Sequence, residues 1–181
     1  MKQIQHIFDT ADLLYSQADI EHALDQLAFA ITEQFSDLNP VVLCVMNGSV
    51  VVTGHLLPKL HFPLELDYIH ASRYGEKTVG SELKWLHKPI TPLANRTVIL
   101  VEDIFDEGVT MQALRKYCQQ AGASSVSCVT LIDKEHANKV GIQPEFIGLT
   151  VPDRYVFGFG MDYKGYWRNA PGIYAVKEAL L

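Results

Sequence analysis

The 181-residue chain has only three cysteines, Cys44, Cys118 and Cys128, and their spacing matches neither a disulfide framework nor a metal-binding knuckle. Cys44 and Cys128 fall in apolar, strand-like runs and Cys118 on a helical pattern, so the expectation is buried free thiols in a reducing cytoplasm. No stretch approaches the roughly 18 apolar residues that a membrane-spanning helix needs. The opening Met1-Lys2-Gln3-Ile4-Gln5-His6 carries one Lys and no apolar core, unlike a secretory signal. There is no run rich in Lys and Arg, and the formal net charge is −6, which argues against a nucleic-acid surface. The seven histidines show no ligand spacing; His70, His87 and His136 stand alone near turns, and none suggests a metal or catalytic role. Repeats, low-complexity tracts and linkers are also absent.

What is present is the composition of an ordinary globular domain, 48% hydrophobic and 20% charged, long enough to bury a substantial core as one unit spanning 1–181. Asp19 reads as an N-cap, after which Ile20, Ala23, Leu24, Leu27, Ala28, Ile31 and Phe35 line one helical face. Val41 to Met46 is continuously apolar, as in a strand covered on both sides, and ends at Asn47-Gly48-Ser49 before a helix through His55 and Leu57. Pro63 to Ile69 reads as another strand. From Ala71 to Pro92 glycines and prolines weaken the pattern toward a loop or hairpin. After a strand at Thr97–Val101, Met111, Leu114, Cys118 and Ala121 mark a helix closed by Gly122, and Val126–Ile132 is again strand-like. Strands alternating with helices predict an α/β fold with a mostly parallel sheet.

The most informative stretch is Thr97 to Thr110. Five strand-forming residues run into Glu102-Asp103, then Ile104-Phe105, then Asp106-Glu107-Gly108-Val109-Thr110. In open parallel sheets ligands sit past the carboxyl ends of strands, and a turn opening a helix presents N–H groups to an anion. Four carboxylates there would repel a bare anion. Magnesium resolves the conflict, because Mg²⁺ binds through one or two carboxylates together with substrate phosphates. The segment therefore reads as a site for a magnesium-bound, phosphorylated ligand.

This stretch resembles the phosphoribosyl-diphosphate signature of the type I phosphoribosyltransferases, with Glu107 in place of the usual Thr. The resemblance runs from about Val41 to Arg168 and points to the 6-oxopurine branch, the hypoxanthine-guanine phosphoribosyltransferases. Met46-Asn47-Gly48-Ser49 stands where the family has its diphosphate loop, and Arg73-Tyr74-Gly75 where its mobile loop opens. Leu131-Ile132-Asp133-Lys134 stands where a strand ends in the Lys facing the purine 6-oxygen, Pro152 to Tyr163 resembles the base-binding hood, and Tyr166-Trp167-Arg168 its closing motif. It implies a type I phosphoribosyltransferase-like fold, with a mostly parallel central sheet flanked by helices and a small hood built from the N-terminal segment and about 150–181. It also implies purine salvage, in which the 5-phosphoribosyl group passes from phosphoribosyl diphosphate to hypoxanthine or guanine with Mg²⁺ as cofactor.

Carried over residue by residue, the resemblance gives Glu102, Asp103, Asp106, Glu107, Gly108, Val109 and Thr110 the donor's ribose and 5′-phosphate. Asn47, Gly48 and Arg168 take the diphosphate, and Ser72, Arg73 and Tyr74 the mobile loop over the site. Lys134, Tyr155, Val156 and Asp162 take the purine, and Glu102, Asp103 and Asp162 the metal. Asp106 is the general acid/base at purine N7, or else only a cap of the following helix. Lys134 selects a 6-oxo over a 6-amino purine, or else ends a strand at the surface. Tyr155 stacks on the base, or else is ordinary core. Three departures stand out. Asn47 lacks the positive charge common in its loop, Glu107 adds a negative one, and Arg73, replacing a small Ser, either reaches phosphate or sits in solvent. In the family the loop tends to hold a non-proline cis peptide, here Met46–Asn47. The expected partners are small-molecule substrates, with no nucleic acid and no membrane, in a homodimer or homotetramer. A regulator that keeps the fold but binds RNA, DNA or protein is the second reading; the acidic charge and the retained Lys134 and Asp106 weigh against it.

Overall fold

In the computed structural model, residues 1–73, 83–141 and 143–180 are described. Helix α1 (Lys2–Thr10) leads through strand β1 (Asp12–Tyr15) into the long helix α2 (Gln17–Phe35). Asp19 is not the N-cap of α2. Ser16 is, and Asp19 sits three positions in, closing a reciprocal box: the Asp19 N–H donates to Ser16 Oγ at 3.3 Å and the Ser16 N–H donates to Asp19 Oδ2 at 2.8 Å. Such a cap stabilises a helix by about 1 kcal/mol.

Strand β2 (Val41–Met46) runs to helix α3 (Val50–Leu56), then β3 (Glu65–Arg73) and its antiparallel neighbour β4 (Leu83–His87). The hairpin alternative for this region thus holds for its two arms. Tyr74 and the tip between the arms lie outside the described residues. Strand β5 (Thr97–Phe105) feeds helix α4 (Val109–Gln120), which is followed by β6 (Ser125–Glu135) and β7 (Phe146–Pro152). Gly122, with φ of 87°, supplies the left-handed residue just past α4. The main sheet has the order β4-β3-β2-β5-β6-β7, parallel throughout except at the β4 edge. The order places β5 at the centre, where ligands of such sheets bind.

Alternation along the strands explains why the apolar runs are continuous. Val41, Leu43, Val45, Val98 and Leu100 pack toward Met111, Leu114 and Cys118 of α4, whereas Val42, Ile99 and Val101 pack toward α2 and α3. Both faces of the sheet are buried at β2 and along the first half of β5, so both registers must be apolar there. Each fully buried Leu or Ile contributes about 1.5–3 kcal/mol. All three cysteines are buried and free, and burial pushes the Cys118 thiol up to about 11 and the Cys128 thiol up to about 12.

A second, antiparallel sheet, β1-β9-β8, joins the N-terminal β1 to β8 (Val156–Phe157) and β9 (Ile173–Ala175). Arg154 ties these pieces together, donating to Asp12 Oδ2 at 2.7 Å and to the Val176 carbonyl at 3.0 Å. Helix α1 braces the same layer: Phe8 stacks on Trp167 at 4.6 Å, and the Trp167 indole N–H donates to the Ile4 carbonyl at 2.8 Å. Among the described residues no helix is long and apolar enough to cross a membrane.

Candidate active site

Strand β5 carries its acids beyond the packed core. Glu102 and Asp103, near its carboxyl end, both line one cavity there. Asp103 turns toward the loop after β2, and a Cβ placed on Gly48 would fall within its carboxylate. Gly160, with φ of 107°, packs on the same loop; a Cβ there would land on the Gly48 carbonyl. Glycine is required at both places for the close approach of three chain segments. The Met46–Asn47 peptide is cis, as the resemblance implied.

Burial pushes the Asp103 carboxyl up to about 6; the Ile104 N–H bonded to Oδ1 at 3.0 Å and the Arg168 charge oppose this, while the Asp162 charge adds to it. Arg168 reaches across the hood, donating to the Gly160 carbonyl at 2.7 Å and pairing with Asp162 Oδ1 at 2.6 Å. Asp162 is held further by the Gly165 N–H at 2.6 Å.

Past Phe105 the chain turns through Asp106, Glu107 and Gly108. Gly108 has φ of 85° and begins α4 without a side-chain cap. A side chain there would meet the Val140 carbonyl at 2.5 Å and the Phe105 ring at 2.8 Å. The first N–H groups of an α-helix have no partners within it, and here they open on a cavity of about 170 Å³ lined by residues 102–108 with Thr110 and Met111. A helix N-terminus of this kind can hold an anion.

A second cavity, of about 280 Å³, lies against the first. Asp103, Ile104 and Asp106 border both, and Lys134, Tyr155, Val156, Met161 and Asp162 complete the second. The end of β6 delivers Lys134, only 16% exposed, with Nζ 3.3 Å from Asp153 and 3.7 Å from Asp106 Oδ1. The start of β8 delivers Val156, and the half-exposed Tyr155 ring meets the Tyr163 ring edge-on at 5.5 Å. A larger hollow of about 410 Å³ lies between α1 and Tyr166–Asn169 and holds none of these groups.

Sequence reasoning missed Met161 and Ile104 as walls of the second cavity, since nothing in the sequence marks a single apolar residue as lining. It also missed His136, whose Nε2 lies 2.7 Å from Asp106 Oδ1. Ser72 and Arg73 close β3 opposite Lys84 and Leu83. Among the described residues no three His, Cys, Asp or Glu side chains converge as a metal cage.

The chain matches the model of the phosphoribosyl transferase domain over residues 10–164. It is 35% identical over 173 residues to the hypoxanthine-guanine phosphoribosyltransferase of Streptococcus thermophilus, covering 95% of this chain and 96% of that one. The chain belongs to the hypoxanthine-guanine phosphoribosyltransferase family. A hypoxanthine-guanine-xanthine phosphoribosyltransferase from Tritrichomonas foetus is 37% identical, with 95% and 94% covered. The crystal structure of a hypoxanthine phosphoribosyltransferase from Staphylococcus aureus superposes with a TM-score of 0.88 at 26% identity, covering 93% of this chain and 92% of that one.

Proposed function

We propose that this site makes a purine nucleotide by transferring the 5-phosphoribosyl group of phosphoribosyl diphosphate to hypoxanthine or guanine, releasing diphosphate. The observation that carries this reading is the pair of adjoining cavities, one an amide-lined anion cradle and one holding an ammonium, with Asp103 and Asp106 on their shared wall. The cradle takes the 5′-phosphate through the N–H groups of residues 106–110 and the Thr110 hydroxyl. Holding the donor at a point remote from C1 fixes its orientation, a large source of rate in a two-substrate reaction. Glu102 and Asp103 take the ribose hydroxyls, and the Gly48 loop with Arg168 takes the diphosphate, where Arg supplies paired N–H donors.

The purine occupies the second cavity. Tyr155 stacks on it, Val156 meets it through the main chain, and Lys134 donates to its 6-oxygen. Adenine would oppose donor to donor there, a mismatch costing about 1–3 kcal/mol. A purine nitrogen bonds to C1 as the C1–O bond to diphosphate breaks. The N7 proton passes to the Asp106 carboxylate, in a general-base role of the kind that contributes ~10²–10⁴-fold.

The donor set suits Mg²⁺. Asp103 and Asp162 lie close enough for the Asp162 charge to oppose ionisation of Asp103, and burial leaves the Asp103 carboxylate short of solvation that a cation would restore. A site with few protein ligands is what Mg²⁺ uses when substrate phosphates and water supply the rest. When bound, it supplies charge neutralisation of the departing diphosphate. Buried free thiols fit a reducing compartment, the cytoplasm. Leu66, Tyr68 and Leu86 on β3 and β4, exposed together with Ile90, favour a homodimer or homotetramer.

Incubating the protein with phosphoribosyl diphosphate, Mg²⁺ and each purine in turn tests the reading. Inosine and guanosine monophosphates are the expected products, xanthosine monophosphate marks a wider base range, and no product with any purine contradicts the proposal. Asp106→Asn lowers kcat by at least about tenfold while donor binding is kept; an unchanged kcat removes Asp106 from the chemistry.

A further inference from the structure

We infer that His136 is a positioning residue for Asp106, fixing the carboxylate that takes the purine proton. The inference rests on the reading of Asp106 given above. His136 directly follows β6, and its side chain is only 7% exposed, although that of Asp106 is 51% exposed. The Asn138 N–H donates to His136 Nδ1 at 3.1 Å, so Nδ1 is an acceptor and carries no proton. Neutral imidazole then bears its proton on Nε2. Nε2 lies 2.7 Å from Asp106 Oδ1, and an ionised carboxylate can only accept. The direction of the bond is therefore set by a main-chain amide two residues further on.

Two consequences follow for the reaction. The nearly buried imidazole holds the Asp106 carboxylate in one orientation through Oδ1. Because the bond occupies Oδ1, Oδ2 is left for the purine. His136 also divides labour with Lys134, whose Nζ stands 3.7 Å from the same Oδ1. With Oδ1 already held by the imidazole, Lys134 is released from anchoring Asp106 and can serve the purine oxygen. His136 touches neither substrate in this arrangement. Its effect passes through Asp106 alone.

Two substitutions at this position separate the bond from the bulk. His136→Gln places an amide N–H near the position of Nε2, whereas His136→Leu removes the donor. His136→Leu is expected to lower kcat with hypoxanthine by about tenfold, the scale of one charge-assisted hydrogen bond, with KM for phosphoribosyl diphosphate within about twofold of the unaltered protein. His136→Gln retains at least about half of kcat, because the donor is kept. In an Asp106→Asn background His136→Leu adds less than about twofold, since a residue acting through another has nothing left to act on. Should His136→Leu fail to fold, His136→Asn replaces it; its amide is too short to reach Oδ1, and the same figures apply.

An unchanged kcat in His136→Leu overturns the inference. So does a full additional loss in the Asp106→Asn background, or a His136→Gln variant as impaired as the leucine variant. Failure of the underlying reading shows differently: the unaltered protein then makes no nucleotide, or Asp106→Asn leaves kcat untouched.

Discussion

Asp103→Asn should make the metal-free protein more stable while disabling it. Burial raises the Asp103 carboxyl from an ordinary 3.8 to about 6, so the folded state holds a proton that the unfolded chain has released. The stability linked to that proton is fully present below about 3.8 and is lost as pH rises through about 6. At roughly 1.4 kcal/mol for each tenfold change in acidity, the native protein at neutral pH forgoes on the order of 3 kcal/mol at this one side chain. Asparagine is uncharged at every pH and avoids that cost, and its side-chain oxygen can still accept the Ile104 N–H that now bonds to Asp103 at 3.0 Å. For a chain of this length each kcal/mol moves Tm by about 2–4 °C, so the variant should melt on the order of 6–12 °C higher at pH 7.5 in chelator. The gain should shrink as pH falls from about 6 toward 4, because both proteins are then uncharged at this position. Thermal unfolding of the two proteins across that range, compared as a difference so that other carboxylates cancel, reads the effect directly. Adding Mg²⁺ and phosphoribosyl diphosphate should raise Tm of the native protein far more than that of the variant. A variant no more stable than the native protein at pH 7.5, or a difference that does not vary with pH, refutes the reasoning.

Gly160→Ala forces a side chain onto the Gly48 carbonyl at a φ of 107° and should spread the loop from Asp103 and Arg168. Because a displacement of about 1 Å can cost a hundredfold, KM for phosphoribosyl diphosphate should rise at least about tenfold, and an unchanged KM refutes the packing argument. Lys134→Met should lower kcat/KM for hypoxanthine and guanine by about ten- to a hundredfold, leaving donor affinity within about twofold. If steady-state assays find the preference for 6-oxo over 6-amino purines intact in that variant, Lys134 does not select the base.

Features encoded over a few neighbouring residues were legible in the sequence. The β2 run Val41 to Met46 and the β5 run into Glu102-Asp103 could be read because a strand covered on both faces needs every residue apolar, whatever packs on it. Lys134 was singled out through the resemblance of Leu131-Ile132-Asp133-Lys134 to the family's strand, and it borders the second cavity. Cap placement was harder: Ser16 and Asp19 both favour helix starts, and only the reciprocal hydrogen bonds show which stands first. Helix α1 escaped notice because Ile7 is its one buried residue and its hold on the fold runs through the distant Trp167. His136 was invisible for a similar reason. It lies 30 positions from Asp106, and only the parallel pairing of Phe105 with Asp133 brings the two turns together. A lone histidine after a strand carries no local mark of that meeting.

The most direct test of the account is diffraction from crystals of the protein soaked with phosphoribosyl diphosphate and Mg²⁺. The 5′-phosphate should lie on the N–H groups of residues 106–110, the ribose beside Glu102 and Asp103, and the diphosphate between the Gly48 loop and Arg168. Density for the donor elsewhere, with that turn holding only solvent, would contradict the account.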